Sequence, residues 1–196
     1  MPNPMDTIIK NNIKESMMLS QAIFENSELT KNIGLACEMI IKQMSENKKL
    51  LICGNGGSAA DAQHIASEFT GKYYLDRAPL NAEALHTDTS YLTAVANDYG
   101  FNQVYSRMVE AKASKGDILM AISTSGNSEN VVLALQKAKG LGVLTIGFGG
   151  QKGGEMKADC DIFIGVPSNN TPRIQEMHLL IGHTICEIVE AHFSEK

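Results

Sequence analysis

The sequence predicts an α/β fold, a parallel sheet covered by helices on both faces. Two observations carry that prediction. Residues 50–53, 117–122, 143–148 and 161–166 are short, almost continuously apolar runs, as expected of strands buried on both faces. Segments apolar at helical spacing lie between them, and strands alternating with helices build parallel sheets. At 196 residues, with no internal repeat, low-complexity tract or evident linker, the chain reads as a single domain, residues 1–196.

Residues 1–48 form an N-terminal helical segment. Met5, Ile9, Ile13, Met17 and Phe24 recur near the helical period, and Leu29, Ile33, Cys37, Ile40 and Met44 do so again, with Asn26-Ser27 as the break. Two such helices cannot bury both faces alone, so they pack on the domain or on another subunit. The first strand, 50–53, ends in Gly54. A helix over 58–70, a weaker strand over 81–86, and helices over 89–97 and 102–113 follow. The strand at 117–122 leads to a helix over 128–139. The Gly-rich stretch 149–154 reads as a plain connection after the strand at 143–148. The last strand, 161–166, precedes a long amphipathic helix over 172–193, with Pro172 in its first turn.

Composition excludes several function classes. Hydrophobic residues make up 43% and charged residues 20%, a globular balance. Seventeen Lys plus Arg against 22 Asp plus Glu give a net charge of −5, which argues against a broad nucleic-acid surface. No apolar run approaches the roughly 18 residues of a membrane span. Residues 1–18 mix Asn, Asp and Lys with single apolar residues and do not read as a signal peptide. Cys37, Cys53, Cys160 and Cys186 are scattered, too sparse for a disulfide framework and wrongly spaced for zinc. They read as reduced thiols in the cytoplasm.

Ligands of open α/β sheets bind beyond the carboxyl ends of the strands, and two strand-to-helix junctions stand out there. Ser123-Thr124-Ser125-Gly126-Asn127-Ser128 places four hydroxyls in six residues at the start of a helix. A helix N-terminus offers unpaired N–H groups and partial positive charge, so the segment reads as a phosphate cradle. It holds no Lys, which separates it from the nucleoside-triphosphate loop and favours a small phosphate ester. Ser and Thr also serve as simple helix caps, and the residues alone leave both readings open.

The other junction, Gly54-Asn55-Gly56-Gly57-Ser58, permits close approach of a ligand to the backbone or simply makes a tight turn. It lacks the GxGxxG pattern, so no nucleotide cofactor is expected. Asp61, His64 and Glu68 then share one polar stripe, opposite Ala62, Ile65, Ala66 and Phe69. His64 and Glu68 are one turn apart, a spacing that lets both hold one metal ion and that equally suits a solvated face. On the last helix Gln175 and His183 project about 80° apart, whereas His178 points about 140° away from His183. Glu176, Glu187 and Glu190 flank His183 and read as a solvated acidic face.

Taken together and in order, these motifs, with Asn97-Asp98-Tyr99-Gly100 and Arg173-Ile174-Gln175-Glu176 added, make the chain resemble the phosphoheptose isomerases of the sugar-isomerase (SIS) domain class. The likeness runs over nearly the whole chain. The Ser-Thr-Ser-Gly-Asn-Ser loop marks only the broader class, and the joint presence of Glu68 and His183 is more specific. The resemblance implies a five-stranded parallel sheet in a flavodoxin-like three-layer sandwich. It also implies a homotetramer centred on the N-terminal helices, with active sites at subunit interfaces.

Ser123, Thr124, Ser125 and Ser128 match the class's phosphate-binding positions, and Asn55, Gly56, Gly57, Asn97 and Asp98 its sugar contacts. His64, Glu68, Gln175 and His183 match its zinc ligands, and Glu68 and His183 its proton-transfer residues, with Glu68 and Gln175 also touching substrate. The implied reaction is aldose–ketose isomerisation of sedoheptulose 7-phosphate, which feeds ADP- or GDP-heptose synthesis for lipopolysaccharide or capsule. Three rival readings are a non-catalytic tetrameric SIS scaffold that binds the replication initiator, a sugar-phosphate-sensing regulator, against which residues 1–48 lack a basic recognition helix, and an isomerase for another phosphosugar.

Overall fold

The computed structural model describes residues 3–194. Five strands form one sheet: β1 (Leu50–Gly54), β2 (Ala82–Ala84), β3 (Ile118–Ser123), β4 (Leu144–Gly150) and β5 (Ile162–Val166). Their order is β2-β1-β3-β4-β5, and every pairing is parallel. One register row crosses the whole sheet through Ala84, Ile52, Met120, Ile146 and Ile162.

Side chains of a strand alternate between faces, and here the alternation separates two cores. Leu50, Ile52, Ile118, Met120 and Ile122 pack with α1 (Pro4–Glu25), α2 (Ser27–Ser45), α3 (Gly57–Thr70) and α7 (Thr171–Ser194). Leu51, Cys53, Leu119 and Ala121 pack with α4 (Thr89–Tyr99), α5 (Val104–Lys112) and α6 (Glu129–Gly140). Each fully buried Leu, Ile or Met contributes about 1.5–3 kcal/mol, and the central strands β1 and β3 are buried along their entire length. The expected three-layer arrangement is therefore present.

Several local expectations change. The second strand is only three residues long, because Thr87 N–H turns back to the Ala84 carbonyl. A 3₁₀ turn over Phe101–Gln103 delays α5 to Val104. The stretch 149–154 is more than a connection. β4 runs on through Gly149 and Gly150, and Gly153 and Gly154 then fold onto Gly126 with positive φ. A Cβ on Gly126 would overlap the Gly153 carbonyl, so this glycine loop buttresses the hydroxyl-rich turn from behind.

Asn26 caps both opening helices: its N–H ends α1 on the Ile23 carbonyl and its side chain accepts from Leu29 N–H. The stripe of α2 is buried as its spacing predicts. The stripe of α1 is not. Leu19 and Ile23 meet the core, while Met5, Ile9, Ile13, Met17 and Phe24 face solvent, Phe24 at 79% exposure. All four thiols are free. Burial pushes Cys37 up to about 11 and Cys53, Cys160 and Cys186 up to about 12, which leaves them protonated and inert. No described helix is long and apolar enough to cross a membrane.

Asp117 ties β1 to β3 at the end remote from the hydroxyl loop. Its carboxylate accepts the N–H groups of Lys49 (3.1 Å) and Ser114 (2.7 Å) and pairs with the Lys49 ammonium (2.6 Å). Burial alone would raise this carboxyl, but those partners outweigh it and hold it below the usual Asp range. A depressed carboxyl stabilises the fold above the ordinary Asp pKa and loses that contribution as pH falls through the depressed value. Asp117→Asn is expected to destabilise the protein by about 2 kcal/mol at neutral pH. The gap from wild type is expected to shrink in acid, which urea unfolding at pH 7 and pH 3 measures.

Candidate active site

β1 and β3 are neighbours in the sheet, yet the helices that follow them depart to opposite faces, α3 to one and α6 to the other. Such a switch point opens a crevice beyond the strand ends. Here it is a cavity of about 330 Å³ lined by Asn55, Gly56, Gly57, Ser58, Ser123, Thr124 and Ser128, and from α7 by Thr171 and Gln175. Both junctions singled out in the sequence thus meet in one place.

Neither helix that opens onto the crevice is capped by a side chain. Gly56 precedes α3 and has no side chain to offer. Ser128 sits at the N-cap of α6 but makes no capping bond, and its hydroxyl lies 3.1 Å from Ser123 Oγ instead. Ser58 and Ala59 N–H turn back to the carbonyls of Asn55 and Gly56, and Val131 N–H to that of Ser128, so the groups left for an anion are the N–H of Gly57 in α3 and of Glu129 and Asn130 in α6. Ser125 Oγ, at the exposed rim, accepts from Asn127 N–H (3.1 Å) and lies 3.5 Å from Ser123 Oγ. Among the described residues, no lysine or arginine lines the cavity. What it offers is hydroxyls, amides and two helix ends.

Gly57 allows the closest approach, since a Cβ there would overlap the Gln175 side-chain amide. Asn55 is held by Asn130 through a reciprocal pair of amide hydrogen bonds at 2.8 and 2.9 Å. Asn130 is buried in α6 and was not singled out in the sequence, because nothing short-range marks an Asn whose partner lies 75 residues away. The phenol of Tyr105 donates to the Gly54 carbonyl and fixes the end of β1.

A second cluster lies further along α3 and α7. His64 Nε2 is 2.8 Å from His183 Nε2 and 3.6 Å from a Glu68 carboxylate oxygen. One donor atom from each of the three lies within 4.8 Å of the others. Their outer side is open: His64 is exposed, and Glu68 and His183 are partly buried. Two imidazoles and a carboxylate with one side open are the donor set of catalytic zinc sites. Two nitrogens bound to one tetrahedral zinc at about 2.0–2.1 Å would stand about 3.3 Å apart. The imidazoles need to part by only about half an ångström for that geometry, and the three residues fit the ion.

The structure does not gather every residue named from the sequence. Gln175 lies at the first turn of α3, about 10 Å along that helix from His64 by its rise per residue. Asn97 and Asp98 are exposed in the last turn of α4, hydrogen-bonded to each other (2.8 Å) and outside the crevice lining. His178 is fully buried on Gly149's carbonyl (3.1 Å), with burial pulling its imidazole down to about 4, and it takes no part in either cluster. Glu190 corrects the reading of a solvated acidic face. It is 1% exposed, and its carboxylate accepts the N–H groups of Tyr73, Tyr74 and Leu75 at 2.7, 2.5 and 2.9 Å. Burial would raise this carboxyl, and the three amides with Arg77 beside them bring it below the usual range.

Gly57→Ala is expected to push the Gln175 amide out of the crevice and weaken phosphate-ester binding about tenfold, with the melting temperature nearly unchanged. Calorimetric titration beside a thermal melt checks both.

The sequence profile of the SIS domain matches residues 14–150. Phosphoheptose isomerase of Clostridium acetobutylicum is 49% identical over 193 residues, covering 98% of each chain. That of Helicobacter pylori (strain Shi470) is 49% identical over 192 residues, covering 97% of this chain and 98% of its own. Among solved structures, a phosphoheptose isomerase from Neisseria gonorrhoeae superposes with a TM-score of 0.90 at 39% identity, over 95% of this chain and 99% of that one. One from Francisella tularensis gives 0.92 at 34% identity, over 97% and 100%. On this evidence the chain belongs to the SIS-domain family and, within it, to the phosphoheptose isomerases.

Proposed function

We propose that the protein interconverts sedoheptulose 7-phosphate and D-glycero-D-manno-heptose 7-phosphate, the first step towards nucleotide-activated heptose. The observation that carries this reading is a carboxylate and an imidazole, Glu68 of α3 and His183 of α7, brought into one cluster by the two helices that also line the anion crevice.

Each residue then has a part. Ser123, Thr124, Ser125 and Ser128 hold the phosphate with the uncapped ends of α3 and α6. Asn55, Gly56, Gly57 and Gln175 contact the sugar, and Asn97 and Asp98 reach it from outside the crevice. The Glu68 carboxylate takes the proton from C1 of the ketose. The electron pair left behind forms the C1–C2 double bond of an ene-diol as the C2 oxygen gains a proton. Glu68 then returns its proton to C2 while the C1 oxygen gives one up, and His183 carries protons between the two oxygens. Nothing is oxidised or reduced overall. Each such group is worth roughly 10²–10⁴ in rate. His64, Glu68 and His183 would hold zinc, whose charge stabilises negative charge developing on the substrate oxygens. The same pair disfavours the scaffold reading, which needs no acid–base residues.

The open side of the His64–Glu68–His183 cluster needs cover, because water in the site weakens its electrostatics and leaks protons. A second copy supplies that cover. The apolar stripe left exposed on α1 supports a homotetramer built on this helix, since apolar surface of that extent marks an interaction site. The reading for residues 1–48 as an oligomerisation segment of a single domain rests on the same stripe.

Four outcomes test these assignments. Chelator-treated protein given sedoheptulose 7-phosphate is expected to form the aldose in an NMR time course once zinc is added back, and far more slowly without it. Glu68→Gln is expected to lower turnover by roughly 10²–10⁴ while the phosphate site still binds. Ser125→Ala is expected to raise KM by the equivalent of about 1–3 kcal/mol. Ile13→Glu with Met17→Glu is expected to yield smaller, folded species on sedimentation, with activity lost. Absence of product under every metal condition from a folded tetramer would overturn the substrate.

A further inference from the structure

The segment between α3 and β2 has no regular secondary structure, and Tyr74, Leu75 and Asp76 on it are exposed. It is nonetheless held by two buried charges. Glu190, near the end of α7, accepts three consecutive backbone N–H groups from it. The Arg77 guanidinium donates to the carbonyls of Glu68 (2.8 Å), Phe69 (2.9 Å) and Ala78 (3.0 Å), and at 3.4 Å to that of Gly71. Arg77 Nε stands 3.3 Å from a Glu190 oxygen, a Coulombic contact rather than an aligned hydrogen bond, and both side chains are 2% exposed.

Two ends of the catalytic cluster converge on this pair. Arg77 grips the last turn of α3 at the backbone of Glu68 itself. The amides that Glu190 grips begin at Tyr73, whose ring lies against the His183 imidazole with centroids 5.4 Å apart. His183 thus packs against two rings, Tyr73 and, at 5.0 Å, His64. A buried ion pair is a costly way to hold a surface loop, and its removal leaves a charge unpaired. Groups just behind catalytic ligands fix ligand orientation, and their loss typically costs 10–100-fold in activity or metal affinity.

We propose that Glu190 and Arg77 are positioning residues for the isomerase centre, setting Tyr73 against His183 and the Glu68 backbone in one rigid unit. This inference rests on the roles given above to Glu68 and His183, so its test includes a readout that needs no turnover. The His183 imidazole resonance, assigned as the one missing in His183→Gln, is expected to carry the ring-current shift of Tyr73. Tyr73→Leu leaves the backbone grip of Glu190 in place. It is expected to abolish that shift and lower kcat about tenfold or more with KM little changed, and Tyr73→Phe to restore both.

Glu190→Gln is expected to broaden or split the same resonance and lower kcat in the folded fraction. A folded Glu190→Gln protein with wild-type kcat and an unmoved His183 resonance would overturn the proposal, as would equal behaviour of Tyr73→Leu and Tyr73→Phe. If Glu190→Gln does not fold, the Tyr73 pair decides alone. If wild type turns over no heptose phosphate, the resonance still separates failure of the positioning unit from failure of the substrate assignment.

Discussion

Two neighbouring parallel strands, β1 and β3, send their chains to opposite faces of the sheet, and the ends of α3 and α6 are left facing one another. With neither end capped by a side chain, the N–H of Gly57 on one helix and those of Glu129 and Asn130 on the other are left without a backbone partner beside one crevice. A buried helix end without a partner is costly, so the arrangement is stable when solvent or an anion completes it. Much of the surrounding structure serves that pair of ends. Asn130 steadies Asn55, Tyr105 fixes the last carbonyl of β1, and the glycines at 153 and 154 support Gly126 from behind.

What the sequence makes legible is whatever depends on neighbours in the chain. Runs such as 50–53 and 117–122 are apolar on both faces, and they are the central strands. The hydroxyl turn after β3 and the glycine turn after β1 were recognisable because each is contiguous. Their convergence followed from the rule for parallel sheets. The His64–Glu68 pair was visible as a one-turn spacing, and His183 only through the resemblance, because it comes from a helix more than a hundred residues away.

The residues missed share the opposite property. Glu190 meets amides 115 to 117 residues earlier in the chain, and with two other Glu residues nearby it reads as part of a wet surface. Asn130 meets Asn55 across 75 residues. Gly153 and Gly154 look like any glycine-rich loop until Gly126 is found beneath them. The stripe on α1 is a different case. Its period was correct, but the surface it matches lies outside one copy of the chain, so local pattern described the helix without saying what would cover it.

On the proposed reading the crevice would draw an anion by fixed dipoles and short hydroxyls, with no lysine or arginine among the described residues of its wall. Fixed dipoles act over a short range, whereas a mobile cation would draw in any polyanion from a distance. Capture in such a site responds to how well a tetrahedral group seats among the donors and only weakly to how much charge it carries. Nucleotides, nucleic acid and other highly charged solutes therefore gain little there despite their abundance, and a seated ester can leave without breaking a strong ion pair. Recognition by fit also makes such a site less sensitive to ionic strength than a basic pocket.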